Sequence, residues 1–399
     1  MPRTLFLLPF MYHWQILPYC WLVVGWPEDV DGNGDMKTWR WILFAAACVI
    51  LLVLVASRYQ YLNEPVVKGV FPIKERWRFE VDGEIVTEPS GDGSKVVIRT
   101  RRKVYALDAR TGSRLWDVAA PSEIYPSPPL TGNGQVVIGY QDGVKALNVD
   151  TGQVMWVSQN PTCAVAPVVP SASSETMVYV VRYNCDIQAY DRETGTVVWE
   201  DALPGARSGA NLFLDDGKIY LVITGGILQV RDSVTGKLIK EIKGQIDRPA
   251  TFQAGILYGF NDVGKLVAFD TRTETVLWQS QKLGESYAPL PAGQRLLVPT
   301  NGGQPMAFDA QTGSLLWVAQ TDSDRYQTPA VLRDIVYIRG IATGKIYALS
   351  IQNGVALGYL RTVIARRPII WDQSSTWRPV TAEGLLIVPM VRRVYAYGD

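Results

Sequence analysis

The residues of this chain that could do chemistry are few, and their spacing excludes several kinds of site. The single histidine, His13, lies in an apolar N-terminal stretch. The rest of the chain therefore cannot build a His-based metal site or a Ser-His-Asp triad. No CxxC or CxxCH motif occurs, which argues against a zinc ribbon and against covalent haem. With 39 basic and 38 acidic residues, the net charge of +1 gives no bulk argument for nucleic-acid binding.

Two cysteines have the spacing of a cross-strand disulfide. Cys163 begins one apolar run, Cys185 ends the next, and the turn SASSE lies midway between them. In an antiparallel hairpin the two residues would lie opposite each other, and a disulfide there suits an extracytoplasmic domain. Two unpaired buried thiols are the alternative. Cys20 and Cys48 lie in the apolar N-terminal region and have the character of ordinary membrane residues.

Arginine and aromatic residues form the remaining chemical signal. Guanidinium and aromatic groups are the side chains that binding hot spots use. The candidate binding residues are Arg101, Arg102, Arg207, Arg248, Tyr287, Arg325, Tyr326, Arg366, Arg367, Trp377, Arg392 and Arg393. Scattered loop arginines that only face solvent are the alternative. The elements that carry these residues decide whether they share one surface.

A repeated phrase defines those elements. The pattern A-x-D-x-x-T-G-x-x-x-W fits fully at residues 106–116, 189–199 and 307–317, and it recurs about every 40 residues. Four further copies carry substitutions, including Lys240 and Gly358 in the Trp place and Glu274 in the Gly place. Alternating, β-branched runs such as QVVIGY precede the phrase. Such a repeat is typical of a propeller blade of four strands.

The residues repeated in each copy of the phrase predict a structural role in the blade, not a chemical one. The carboxylate of Asp108 can accept hydrogen bonds from backbone N–H groups of the following turn, and Gly112 permits a positive φ there. The tryptophan four residues later is expected to pack between blades, with ligand stacking as the alternative. The docking tryptophans are Trp77, Trp116, Trp156, Trp199, Trp278 and Trp317.

The two ends of the repeat region complete each other. The eighth copy, VYAYGD at 394–399, lacks its Trp-bearing strand, and the segment KERWRFEV at 74–81 supplies one with Trp77. Pairing of these segments would close the ring and leave few exposed edges. We therefore predict an all-β, eight-bladed propeller over residues 71–399.

A propeller would bring the candidate binding residues together. The loop before each innermost strand and the loop before each phrase open on the same face. The tandem arginines at 101–102 and 392–393 then lie in neighbouring blades. We expect one face to carry a basic, aromatic mouth that favours an acidic peptide, a polyanion or an acidic partner protein.

The N-terminal region predicts a membrane anchor. Residues 41–57 are uncharged and lie between Arg40 and Arg58, at the lower edge of the length of a membrane-spanning helix. The positive-inside rule places the following domain outside the cytoplasmic membrane, after a linker at 58–70. A cleaved or lipidated segment is the alternative. The segment 1–40 contains a second apolar stretch, 4–26, which permits a two-pass arrangement; a true start at Met36 is the other possibility.

The repeated phrase resembles the tryptophan-docking motif of the quinoprotein (PQQ-like) propellers, a family that includes outer membrane assembly factors without enzyme activity. The resemblance covers roughly residues 71–399. It implies the fold directly and function weakly, because enzymes and non-enzymes share the motif. The quinone-dependent dehydrogenases of the family imply adjacent cysteines, a Ca²⁺ site and an Asp base.

The chain departs from the enzymes of this family. No two cysteines are adjacent and no acidic cluster stands out in the sequence. We therefore predict no catalytic, cofactor-binding or metal-binding residues. The expected function is a membrane-anchored, extracytoplasmic, non-enzymatic protein-interaction scaffold or binding module, in envelope protein assembly or in a membrane complex. A quinone-dependent alcohol or sugar dehydrogenase is the alternative, and a ligand sensor ranks below both.

Overall fold

The computed structural model describes residues 71–120, 126–140, 143–159, 168–182, 185–203, 210–284, 286–361 and 377–399. The N-terminal segment 1–40, the expected membrane helix at 41–57 and the linker at 58–70 lie outside these residues. Within the described ranges, no helix has the length and apolar character needed to cross a membrane.

The described residues form eight antiparallel sheets of four strands each. The first strand of the described residues is β1 (Lys74–Glu80), which belongs to the last blade. Blade 1 contains β2 (Ser90–Asp92), β3 (Lys95–Arg99), β4 (Lys103–Asp108) and β5 (Arg114–Ala119). Blade 2 contains β6 (Leu130–Gly132), β7 (Gln135–Tyr140), β8 (Gly143–Asn148) and β9 (Val154–Gln159). Blade 3 contains β10 (Val168–Ser173), β11 (Met177–Arg182), β12 (Asp186–Asp191) and β13 (Val197–Ala202). Blade 4 contains β14 (Ala210–Asp215), β15 (Lys218–Ile223), β16 (Ile227–Asp232) and β17 (Leu238–Lys243).

The second half of the ring repeats this order. Blade 5 contains β18 (Asp247–Gln253), β19 (Ile256–Phe260), β20 (Lys265–Asp270) and β21 (Thr275–Lys282). Blade 6 contains β22 (Leu290–Ala292), β23 (Arg295–Val298), β24 (Met306–Asp309) and β25 (Leu315–Val318). Blade 7 contains β26 (Ala330–Leu332), β27 (Ile335–Arg339), β28 (Lys345–Ser350) and β29 (Ala356–Arg361). Blade 8 contains β30 (Val380–Ala382), β31 (Leu385–Met390) and β32 (Arg393–Gly398), with β1 as its outer strand. The structure confirms the predicted eight-bladed, all-β propeller.

The core lies between blades. All six residues of β11 are buried, and the equivalent strands of other blades are buried on both faces in the same way. Both faces are buried because each blade packs against a neighbour on either side. In the outer strand β5, by contrast, Trp116 is the one buried residue.

The turn after the third strand of each blade is held by the aspartate of the phrase. In blade 1, one carboxylate oxygen of Asp108 accepts hydrogen bonds from the backbone N–H and the hydroxyl of Thr111, both at 2.8 Å. Gly112 has a φ of 72°, which strongly favours glycine. Asn148 makes the equivalent bonds in blade 2. The turn therefore needs a side-chain oxygen and not a charge.

Each phrase tryptophan joins its own blade to the next. The indole of Trp116 lies over Gly152, where an added Cβ would sit 2.7 Å from the ring, and its Nε1 donates to the carbonyl of Val149 at 2.9 Å. We call this arrangement the Trp–Gly dock. The same pairs are Trp77–Gly112, Trp156–Gly195, Trp199–Gly236, Trp278–Gly313 and Trp317–Gly354.

The ring closes through the chain ends. The antiparallel pairing of β1 with β32 places Trp77 opposite Ala396. The indole Nε1 of Trp77 then donates to the carbonyl of Ala109 in blade 1 at 2.9 Å. The N-terminal strand therefore completes blade 8 and docks it to blade 1.

Candidate functional site

The candidate residues that the structure describes belong to segments on one face of the propeller, which we call the mouth face. The described part of this face is formed by loops between the second and third strands and by connections between blades. Of the candidates, Arg207, Arg366 and Arg367 lie outside the described residues. Arg248 lies in β18, but its side chain is also outside the described part. The candidates with described side chains are Arg101, Arg102, Tyr287, Arg325, Tyr326, Trp377, Arg392 and Arg393.

Acidic residues neutralise much of the expected basic mouth. Arg102 lies 3.7 Å from a carboxylate oxygen of Asp82, and Arg393 lies 3.4 Å from one of Glu80. Arg378 is also paired, at 2.6 Å from Glu88. The carboxylates come from the segment 80–88, which the ring closure carries between the two arginine loops. The mouth is therefore a surface of mixed charge in blades 8 and 1, and the predicted binding of a partner by its arginines stays a prediction.

Two arginines on the loops of blades 8 and 1 remain available to bind a partner. Arg101 and Arg392 are exposed and form no ion pair with any residue that the structure describes. Their loops are held by one connection: the backbone N–H of Arg101 donates to Glu84, and the carbonyl of Arg392 accepts from Val81. The hydrogen bonds fix both loops on the same segment. Arg325 and Tyr287 are also exposed, but they lie in the connections of blades 5 to 7.

Two aromatic candidates are structural. Tyr326 is fully buried, and its hydroxyl donates to the carbonyl of Ser323. Burial raises the pKa of Tyr326 to about 12. The Nε1 of Trp377 donates to the carbonyl of Ile85 at 3.0 Å, and its ring packs against the blade 8–blade 1 core. The structure therefore removes Tyr326 from the exposed mouth and gives Trp377 a packing role.

A buried polar cluster between blades 6 and 7 was not predicted from the sequence. The ammonium of Lys345 pairs with the carboxylate of Asp322, and their side chains are 3% and 7% exposed. The hydroxyl of Tyr347 donates to the same carboxylate, and Lys345 lies 4.6 Å from the ring centroid of Tyr359. Burial alone would raise the pKa of Asp322, but hydrogen bonds from Lys345 and Tyr347 lower it overall.

The protonation states of Asp322 and Tyr347 in this cluster are fixed near neutral pH. Burial and the hydrogen bond to Asp322 raise the pKa of Tyr347. A phenol that stays protonated and a carboxylate that stays charged do not exchange protons near neutral pH. The cluster therefore acts as a joint between two blades. The spacing of its members along the chain offers no sequence signal.

A cavity of about 760 Å³ lies at the inner ends of blades 6, 7 and 8. Its walls include Pro291, Val331 and Thr381 from the three innermost strands, and Arg295 and Arg333 also line it. The carboxylate of Asp399 pairs with Arg333. The cavity is of a size that could admit a small molecule.

The described residues do not build a metal centre. Across the described ranges, no group of three or more His, Cys, Asp or Glu is arranged to hold a metal ion. Cys185 is a disulfide-bonded cysteine that follows β11. Cys163 lies outside the described residues, so the identity of the partner of Cys185 stays a prediction.

The fold and the repeated Trp–Gly docks define the class of this protein: an eight-bladed propeller of the PQQ-like type. A family model described as outer membrane protein assembly factor BamB matches residues 74–178, 141–252 and 238–361. Together these matches span most of the chain, and the chain therefore belongs to that family.

Individual relatives include both kinds of function found on this fold. The outer membrane protein assembly factor BamB of Burkholderia pseudomallei is 26% identical over 268 residues, covering 59% of this chain and 67% of the relative. The quinoprotein alcohol dehydrogenase PedH of Pseudomonas putida is 28% identical over 193 residues, which cover 43% of this chain but only 32% of PedH. The crystal structure of BamB from Moraxella catarrhalis matches with a TM-score of 0.66 at 18% identity, covering 82% of this chain and all of that one. The structural likeness supports the fold alone.

Proposed function

We propose that this chain is a non-enzymatic, extracytoplasmic scaffold that binds protein partners in outer membrane protein assembly. The observation that carries the proposal is the family match, which extends from residue 74 to residue 361. The B. pseudomallei relative is an assembly factor by name, and two thirds of its length aligns with this chain. A closed ring with exposed loops on one face is suited to holding a partner.

The partner surface is proposed to include Arg101 and Arg392. Both are exposed on adjacent loops, and neither is neutralised by a described residue. Arginine at such a position favours a partner that presents carboxylates, because the guanidinium group can bind them in a bidentate manner. Arg102 and Arg393 already have acidic partners within the chain and are expected to contribute less.

The test compares matched arginine variants. The full chain, carrying an affinity tag, is purified from native membranes after crosslinking, and outer membrane assembly proteins are quantified. The double variant Arg101→Ser/Arg392→Ser should lose these proteins, whereas Arg110→Ser should retain them. Arg110 is a suitable control because it is exposed on the opposite face and paired with Glu383. Equal recovery with both variants would remove the mouth from the proposal, and no recovery with the unaltered chain would remove the proposal itself.

The anchor is proposed to be the helix at 41–57, with the propeller outside the cytoplasmic membrane. Reporter fusions at residue 35 and at residue 399 test this topology. Activity of an extracytoplasmic reporter at 399 but not at 35 supports a span at 41–57 with the propeller outside, and activity at neither position contradicts it. The proposed Cys163–Cys185 disulfide is tested by peptide mass spectrometry without reduction, in which the linked peptide is the expected product.

A quinone-dependent dehydrogenase is the alternative, and the similarity to PedH is the observation that favours it. The residues of this chain fit that chemistry poorly. Its four cysteines stand at positions 20, 48, 163 and 185, so no adjacent pair exists to form a disulfide ring over a quinone. Dye reduction by the purified chain with quinone, Ca²⁺ and an alcohol would support this alternative.

A further inference from the structure

Two of the eight blade interfaces lack the Trp–Gly dock. Lys240 of blade 4 stands in the Trp place and faces Glu274 of blade 5, which stands in the Gly place. In blade 7, Gly358 stands in the Trp place, and blade 8 has no turn for a tryptophan to meet because β32 and β1 come from opposite ends of the chain. We call these interfaces the 4/5 seam and the 7/8 seam. The six docks therefore join the blades into two arcs, one of blades 8, 1, 2, 3 and 4 and one of blades 5, 6 and 7.

The rim of the 4/5 seam is held by an ion pair. The ammonium of Lys240 contacts the carboxylate of Glu274, and the two side chains are 50% and 35% exposed. Exposed ion pairs contribute little to stability, because water and salt screen them and two flexible side chains must be ordered. Nearer the axis the seam is well packed, since Phe252 stacks on Phe213 and Tyr220. The 4/5 seam is therefore firm inside and weak at its rim, as a hinge would be.

The 7/8 seam has a different construction. The guanidinium group of Arg339 donates to the carbonyl of Pro389 at 3.1 Å, and Phe71 packs edge-on against Tyr337 and Tyr397. Buried apolar side chains of both blades, among them Ile346 and Leu386, fill the seam. The cavity of about 760 Å³ borders blades 6, 7 and 8, so it touches both the 7/8 seam and the docked 6/7 interface.

We propose that blades 5–7 move as one body relative to the other five blades, with the motion taking place at the 4/5 seam and the 7/8 seam, the two interfaces without a Trp–Gly dock. This device goes beyond the proposed function and does not depend on it. The mouth face spans both arcs: Arg325 belongs to the moving arc, and Arg101 and Arg392 belong to the other. The motion changes the spacing of these arginines, so a partner that bridges them selects one arrangement of the arcs.

Pulsed electron–electron double resonance on the full chain tests the motion, because it measures the distribution of distances between two spin labels. Spin labels attached through non-canonical amino acids leave the four native cysteines untouched. One pair, at Val234 and Gln311, lies two blades apart and crosses the 4/5 seam. The control pair, at Asp150 and Val234, is also two blades apart but crosses only docked interfaces. All three positions are exposed and occupy the same place in their turns.

The proposal predicts a distance distribution at least twofold broader for the seam-crossing pair. The double variant Lys240→Trp/Glu274→Gly installs the missing dock and should narrow that distribution to the width of the control. Glu274→Gly alone relieves a positive φ of 58° without adding the dock and should leave the distribution broad. Equal widths in the unaltered chain would overturn the proposal, whether or not the double variant folds. A double variant that folds but stays broad would also overturn it.

Discussion

Removing one dock should destabilise the propeller by an amount set by the buried indole. Trp116 is 8% exposed, lies over Gly152 and donates to the carbonyl of Val149. Truncation to alanine leaves a cavity between blades 1 and 2 and a buried carbonyl without its donor. Substitutions of this kind cost about 3–5 kcal/mol. We expect Trp116→Ala to lower the free energy of unfolding by that amount, as measured by urea titration followed by circular dichroism.

The glycine on the other side of the dock provides the decisive control. Gly152 has a φ of 71°, and an added Cβ would lie 2.7 Å from the indole. Gly152→Ala therefore combines a steric clash with backbone strain of about 1–2 kcal/mol. In the Trp116→Ala background the clash disappears and only the strain remains, so the double variant should cost less than the sum of the single ones.

Two outcomes would refute this reasoning. A cost of less than about 1 kcal/mol for Trp116→Ala would show that the indole is not a major joint. An equal cost for Gly152→Ala with and without the indole would show that the two residues do not act as a pair. The exposed neighbour Leu115, which is 45% exposed, gives the baseline, because Leu115→Ala should change stability by no more than about 0.5 kcal/mol.

The remaining predictions concern charge. Hydrogen bonds from the turn lower the pKa of the phrase aspartates, so the stability that they contribute is present above about pH 4 and is lost as the pH falls through their folded pKa values. Urea midpoints measured between about pH 5 and pH 2 should therefore fall, and Asp108→Asn should remove part of this fall, because Asn148 already makes the same bonds without a charge. Lys345→Met should cost about 3–5 kcal/mol in urea titrations at pH 7, because it leaves Asp322 buried and unpaired, whereas Lys345→Met/Asp322→Leu should cost much less; similar costs for both would contradict this. The aspartates with lowered pKa values are Asp108, Asp191, Asp232, Asp270 and Asp309.

The architecture was predictable because its determinants are local and repeated. Asp108, Gly112 and Trp116 lie within nine residues, and each plays the same part in most blades. The missing strand of the eighth copy and the unpaired Trp77 were also visible in the sequence. Because the copies of the phrase recur at a regular spacing, the number of blades and the closure of the ring follow from counting the copies.

The charges of the mouth could not be predicted in the same way. The tandem arginines were visible, but their partners Asp82 and Glu80 become neighbours only when the chain ends meet. Tyr326 has the spacing of a loop residue, yet its hydroxyl finds partners inside the protein and its ring is buried. The substitutions at Lys240 and Glu274 appear in the sequence as two separate exceptions. They form one contact because the rim of each blade meets the turn of the next.

Site-specific crosslinking in native membranes tests the central claim most directly. A photoreactive amino acid is placed at Arg102, which lies beside Arg101 on the mouth face and is expected to contribute little to binding, and, in a separate chain, at Arg110 on the opposite face. We expect a crosslink from position 102, but not from position 110, to a component of outer membrane protein assembly. A crosslink of equal yield from both positions, or none from position 102, would contradict the proposed scaffold function.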